Sequence, residues 1–257
     1  MRLSRMPKSA ALLFCLVTSI TLTACSTVSP RDREKANLYL ELGTTYLVRG
    51  DYPLALKALL RSQKLNPDNA STQNNLGLAY YVRRRFNHAQ KHFKRALELR
   101  PKFTEAENNL GRLYITVGLY KKAIRELKLA TADLTYNHPA KSWSNLGQAY
   151  FYDRQYKQAK VALENSLQAR HDSCKTMDIY GRTLYSLKDY KSAAESLDQA
   201  IRICGKSKFD QPHFYSGMSF YKLGEMDQAR ARFKELVSLF PTSRYAAQAQ
   251  KMLEILK

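Results

Sequence analysis

Residues 74–93 read Asn-Asn-Leu-Gly-Leu-Ala-Tyr-Tyr-Val-Arg-Arg-Arg-Phe-Asn-His-Ala-Gln-Lys-His-Phe. Leu76-Gly77 precedes Tyr80 by one helical turn, Ala89 follows Gly77 by twelve residues and Phe93 by sixteen. The frame recurs through the chain. Leu-Gly-x-x-Tyr returns at Gly43, Gly111 and Gly147, with looser copies at Gly181 and Gly217, at intervals of 34, 34, 36, 34 and 36 residues. Twelve residues after each glycine stands Ala55, Ala89, Ala123, Ala159, Ala193 or Ala229, and four later Leu59, Phe93, Leu127, Leu163, Leu197 or Phe233. Glycine and alanine belong where two helices cross closely, and the large apolar residues fill the space beside them. Pro67, Pro101 and Pro241 stop the second helix of repeats one, two and six. One such hairpin cannot bury its own apolar face, so neighbours must stack.

This pattern resembles the tetratricopeptide repeat, a 34-residue helix–turn–helix unit. The resemblance implies an all-α fold: a right-handed superhelical solenoid of six repeats over residues 36–69, 70–103, 104–139, 140–173, 174–209 and 210–243. The two longer intervals place two extra residues near Thr135–Pro139 and Gly205–Gln211. Segment 244–257 reads as an amphipathic helix capping repeat six.

The beginning of the chain is of another kind. Arg2, Arg5 and Lys8 precede an apolar run from Ala10 to Ile20, which ends in Leu22-Thr23-Ala24-Cys25. That is the layout of a signal peptide over 1–24, and the run is too short for a permanent membrane span. Leu-Thr-Ala-Cys resembles the bacterial lipobox, which implies cleavage before Cys25 and acylation of Cys25, palmitate among the chains. Ser26 follows, not aspartate, which points to the periplasmic face of the outer membrane. Residues 25–35 are expected to form the lipidated N-terminus and tether.

The 257 residues carry a net charge of +20; removing Arg2, Arg5 and Lys8 leaves +17. Such a surplus favours an acidic partner or an anionic surface, and export argues against nucleic acid. Its densest stretch holds Arg83, Arg84, Arg85, Lys91, Lys94 and Arg95, read as a patch for anionic headgroups or an acidic partner, or as a solvated face. His88 and His92 have the i, i+4 spacing of metal ligands, but lysines surround them and no third ligand stands nearby, so no metal is expected. Neither a phosphate loop, a nucleophile–base series nor a carboxylate pair stands out. The chain is therefore read as non-catalytic, without cofactor or small-molecule substrate.

In the tetratricopeptide fold, side chains of the first helix of each repeat line a concave face. The resemblance places there Asn75, Asn109 and Asn145, an asparagine ladder able to hold a peptide backbone. It also places there Tyr81, Ile115, Phe151, Tyr185 and Tyr221, joined by Phe214 and Met218, as candidate anchors. Cys174 and Cys204 fall at the same end of one hairpin. An exported protein favours their pairing, although two separate thiols fit the same positions. Six repeats behind a lipobox resemble the type IV pilus biogenesis lipoproteins of the PilF/PilW/Tgl kind, the pilotins. That implies binding of secretin subunits and help with their outer-membrane localisation and multimer assembly. A scaffold for peptidoglycan enzymes or for outer-membrane protein assembly is the alternative.

Overall fold

The computed structural model describes residues 28–170, 173–205 and 209–256; the signal peptide and Cys25 lie outside them. Every regular element among the described residues is an α-helix. Six antiparallel pairs follow one another: α1 (Pro30–Arg49) with α2 (Tyr52–Leu65), α3 (Ala70–Val82) with α4 (Phe86–Leu99), α5 (Thr104–Thr116) with α6 (Tyr120–Ala132), α7 (Pro139–Tyr152) with α8 (Tyr156–Ala169), α9 (Cys174–Ser186) with α10 (Tyr190–Cys204), and α11 (Gln211–Leu223) with α12 (Met226–Leu239). A last helix, α13 (Arg244–Ile255), packs on α11 and α12.

The hairpin glycines show why the 34-residue frame exists. A Cβ built on Gly77 would stand 2.5 Å from Phe93 Cδ1, and one on Gly111 would stand 2.4 Å from Leu127 Cγ. The residue sixteen positions on fills the missing side chain's place in all six repeats. The alanine between them is fully buried in every pair. Successive first helices pack together (α1 with α3, α3 with α5, and onward), whereas no Cα atoms of two second helices come within 8 Å of each other. The first helices therefore form the inner wall of a curve and the second helices its outer wall.

A second periodic signal lies seven residues after each hairpin glycine. Gly50, Gly118 and Gly224 turn the chain with φ near 80°, and Arg84, Arg154 and Lys188 occupy the same left-handed position in repeats two, four and five (φ 59°, 61° and 67°). That conformation costs a non-glycine residue about 1–2 kcal/mol. Lys188→Gly is accordingly expected to stabilise the chain by roughly 1 kcal/mol, raising the melting temperature by about 2–4 °C. An unchanged or lower midpoint in a thermal melt would refute this.

The connections between repeats carry the insertions. Four residues join α2 to α3, α4 to α5, α8 to α9 and α12 to α13, but six join α6 to α7 and α10 to α11. In the first longer join, Asp133 accepts hydrogen bonds from the Thr135 amide (2.9 Å) and from the hydroxyls of Thr135 (2.7 Å) and Thr104 (2.5 Å), and Tyr136 folds inward.

The expected tether over 25–35 is corrected at its C-terminal part: α1 begins at Pro30. Ser29 accepts from the Asp32 amide (3.0 Å) and donates to its carboxylate (2.8 Å), and Pro30 takes the first helical position, where its lost N–H costs nothing. At the far end, the Tyr245 hydroxyl accepts from Gln211 (3.0 Å), and Arg230 donates to the Leu256 carbonyl (2.7 Å). These bonds seat α13 on the face that a seventh repeat would otherwise cover.

Cys174 and Cys204 are joined in a disulfide with Cα atoms 5.2 Å apart. The bond ties the start of α9 to the end of α10. No described helix is long and apolar enough to cross a membrane.

Candidate functional site: the concave trough

The inner wall of the curve is the candidate site. Its asparagines do not form a free ladder. Asn75 Nδ2 donates to Thr44 Oγ1 (2.8 Å), Asn109 Nδ2 to Asn74 Oδ1 (3.0 Å) and Asn145 Nδ2 to Asn108 Oδ1 (2.8 Å). Each carboxamide spends a donor on the preceding first helix, and Asn109 is buried. The expected peptide-holding role is thus corrected for these donors: they bind repeat to repeat. The reason is geometric, because the superhelix sets consecutive first helices side by side, within reach of short polar side chains.

The aromatic positions are also partly occupied. The Arg112 guanidinium lies 4.6 Å from the Tyr81 ring centroid, and Arg182 lies 4.8 Å from that of Phe151. In both cases an arginine one residue beyond a hairpin glycine covers the aromatic residue of the preceding repeat, 31 positions earlier. Such stacking contributes about 0.5–2 kcal/mol. Tyr81 also hydrogen-bonds Thr116 (2.9 Å). Ile115 is buried and offers no surface anchor, which corrects its assignment. Tyr185 packs edge-on against Tyr190 and Tyr215. Phe214 is wedged among Tyr215, Phe233 and Tyr245, and Met218 joins that cluster, so both help to seat the capping helix. Tyr221 stays half-exposed, with Lys222 5.8 Å from its ring.

Two adjoining cavities lie in the middle of the trough. One, of about 440 Å3, lies at the starts of α7 and α9 and is lined by His138, Lys141, Asn145, Ser144, Lys175 and Thr176 among others, with no acidic side chain among the described residues of its wall. The other, of about 220 Å3, shares Lys175 and continues along α9 past Asp178 and Arg182 to Gln148 and Tyr152. Arg182 donates to Asp178 (3.3 Å) and Gln211 (3.1 Å). Burial pushes the Asp178 carboxyl upward, against the pull of Arg182. The middle of the trough therefore presents cations, stacked guanidinium planes and amides. Such a surface suits an acidic or polar polypeptide segment better than a bare apolar helix.

The basic stretch of repeat two divides. Arg83, Arg84 and Arg85 are exposed at the turn between α3 and α4. Arg95 instead pairs with Asp68 (2.6 Å) and Glu98 (3.1 Å), which removes it from a free patch. Lys91 and Lys94 are exposed on α4. His88 and His92 both stack on Tyr80 (5.1 and 5.3 Å), and His92 Nδ1 bonds Gln73 (2.8 Å). Burial, with Lys91 and His88 nearby, holds His92 down to about 4. The pair is thus engaged in packing repeat two.

Sequence reading passed over one constellation. Glu107 on α5 and Glu126 on α6 are both buried and face each other across the third hairpin. Their nineteen-residue separation is the separation of the bonded pair Gln73 and His92. That shared spacing was the available signal. Burial first, then Glu126 and Asp133, lift the Glu107 carboxyl to about 7, while Arg125 donates to Glu126 (2.8 Å). A carboxyl raised on folding supports stability fully below its unfolded value, and that support is lost as pH rises through 7. Discounted for solvent screening, the loss between pH 5 and pH 8 is about 1–2 kcal/mol. Glu107→Gln is expected to match the parent at pH 5 and to melt higher at pH 8. Equal melting points at pH 8 would contradict this.

Paired helices with a glycine–alanine crossing, stacked into a curve with an inner binding wall, define a tetratricopeptide-repeat protein. Tetratricopeptide-repeat profiles match residues 34–102, 74–136, 140–172, 176–207 and 213–243, and the chain belongs to that family. Among solved structures it is similar to PilF of Pseudomonas aeruginosa (TM-score 0.77, 21% identity, covering 86% of this chain and 99% of that one). It is likewise similar to PilW, described as a widely conserved type IV pilus biogenesis factor (TM-score 0.75, 20% identity, covering 84% and 98%). YrrB, a tetratricopeptide protein with an unusual peptide-binding site, also matches (TM-score 0.64, 16% identity, covering 76% and 99%). No curated protein matches by sequence.

Proposed function

We propose that this chain is a pilotin: a non-catalytic outer-membrane lipoprotein that binds secretin subunits in its trough and promotes their localisation and multimer assembly in type IV pilus biogenesis. One observation carries the reading. The full run of six hairpins with its capping helix spans nearly the whole of PilF and PilW, and it stands behind a lipobox. In this reading the acyl chains on Cys25 hold the trough at the membrane, and several chains anchor stably where one is marginal. Restricting carrier and cargo to one surface raises the effective concentration for ring assembly. The cationic stretch from Lys141 to Arg182 takes the secretin segment, and Arg83, Arg84 and Arg85 add attraction to anionic headgroups.

The test is deletion of the gene followed by electrophoresis of the secretin. Detergent-resistant multimers are expected to disappear; their normal formation would end the proposal. Cys25→Ala is expected to release the protein into the periplasm while leaving the fold intact. Membrane retention of that variant would disprove the lipid anchor.

A further inference from the structure

On the outer wall, between α6 and α8, lies an apolar slot of about 420 Å3. Its floor is a helical stripe of α7, Trp143, Leu146 and Tyr150. Its walls are Lys128 and Thr131 from α6, and Lys157, Gln158, Val161 and Ala162 from α8. Val161 is 57% exposed although it faces an apolar channel.

At the level of the slot, repeat four differs from repeats two, three and six. At the corresponding level repeat two is closed by Gln73 bonded to His92, and repeat three by Glu107 facing Glu126. In repeat six His213 meets Glu235, with Nδ1 to Oε2 at 3.5 Å. Repeat four places the only tryptophan of the chain opposite the small Ala162, which leaves the space unfilled. Filling an interior position with a large apolar residue, and then opening it to solvent, has no advantage for the isolated fold.

We infer that this slot docks an amphipathic helix of a protein partner, with an apolar ridge on Trp143 and Val161 and acidic residues meeting Lys128 and Lys157. Three features select that occupant. A lysine stands on each wall, and no acidic side chain lines the slot among the described residues, so the rim is complementary to a ridge flanked by acids. The floor runs from Trp143 to Tyr150, seven residue steps of α7 or about 10 Å, which is two turns of a docked helix. It is shorter than the roughly 15 Å of one lipid leaflet's acyl layer, and the slot is open along its outer side. Finally, α6 and α8 flank the slot with no Cα atoms within 8 Å of each other, which leaves a groove into which a helical ridge packs. The surface lies on the opposite wall from the trough, so it serves a second contact and does not depend on what the trough holds.

Trp143 is its own reporter, because its fluorescence is the tryptophan signal of the whole protein. The chain from Ser26 onward is titrated with a synthetic leucine–glutamate amphipathic helix of about five turns, with its leucine–lysine counterpart, and with phosphatidylglycerol vesicles. The leucine–glutamate peptide is expected to change Trp143 emission saturably. Val161→Glu, at an exposed position, is expected to weaken that binding at least tenfold with an unchanged circular dichroism spectrum. Lys128→Glu combined with Lys157→Glu is expected to transfer the preference to the leucine–lysine peptide. A trough variant, Gln148→Ala, leaves all of this unchanged. Absence of a saturable change, equal binding of both peptides to the parent, insensitivity to Val161→Glu, or a response to vesicles alone would each overturn the inference, the last in favour of lipid.

Discussion

Gly111→Val is expected to destabilise the protein by about 3 kcal/mol, at the upper end of the range for overpacked cores. Valine is a better helix former than glycine by a few tenths of a kcal/mol, so propensity alone predicts a small gain. Sterics decide the outcome. The first added carbon would stand 2.4 Å from Leu127 Cγ and 2.8 Å from its Cδ2, and Leu127 is itself fully buried. The near contact is the branch point of the side chain, so turning χ2 does not clear it, and a χ1 change has to find new space in a fully buried site. The two helices must separate, which loosens the third hairpin and both of its neighbours. Because stability in stacked repeats is carried by each unit and its interfaces, the loss should appear first as faster hydrogen exchange in α5 and α6. Leu127→Ala supplies the control. Combined with Gly111→Val it makes room, so the double variant should be markedly less destabilised than the two losses added together. Strict additivity, or a Gly111→Val melt like that of the parent, would show that the close crossing is not what requires glycine.

The second large effect is loss of the Cys174–Cys204 bond. It closes a loop of 30 residues, for which chain-entropy arguments give about 3–4 kcal/mol. The bond fastens the hairpin that lies before one of the two longer joins. Reductant is expected to lower the melting temperature and to raise exchange at the end of α10. The Cys174→Ser/Cys204→Ser chain should begin at the lowered midpoint and ignore reductant. A parent protein whose midpoint does not move under reducing conditions would refute the stabilising role. The difference bears on function as well, since α9 carries Lys175, Asp178 and Arg182 into the trough.

The candidate site was legible in part. Repeat arithmetic located the inner-wall positions, and it read Phe151 and Tyr81 as aromatic anchors. It did not show that Arg182 and Arg112 lie on those rings, nor that Phe214 and Met218 are drawn into packing against α13. A ring at a surface position is exposed only if the next repeat brings nothing over it, and the residues that cover it are those that vary from one copy to the next. The asparagines repeated in register and so looked like a ladder for a ligand. Register is equally what lets them bond to one another's neighbours.

What the linear chain determined by itself is the fold. Glycine, alanine and a large apolar residue at offsets of zero, twelve and sixteen are demanded by one helix crossing, and that crossing is local enough to leave the same mark six times. The extra two residues at two joins, and the end of the array at a capping helix, follow from the same count. Only the tertiary structure decided the chemistry of the two walls. The guanidinium–aromatic stacks, the buried Glu107–Glu126 encounter and the open slot at Trp143 all arise where side chains from different helices meet. The repeat sets which positions meet there but not which residue types fill them, so the chemistry of those contacts becomes visible only once the hairpins are set side by side.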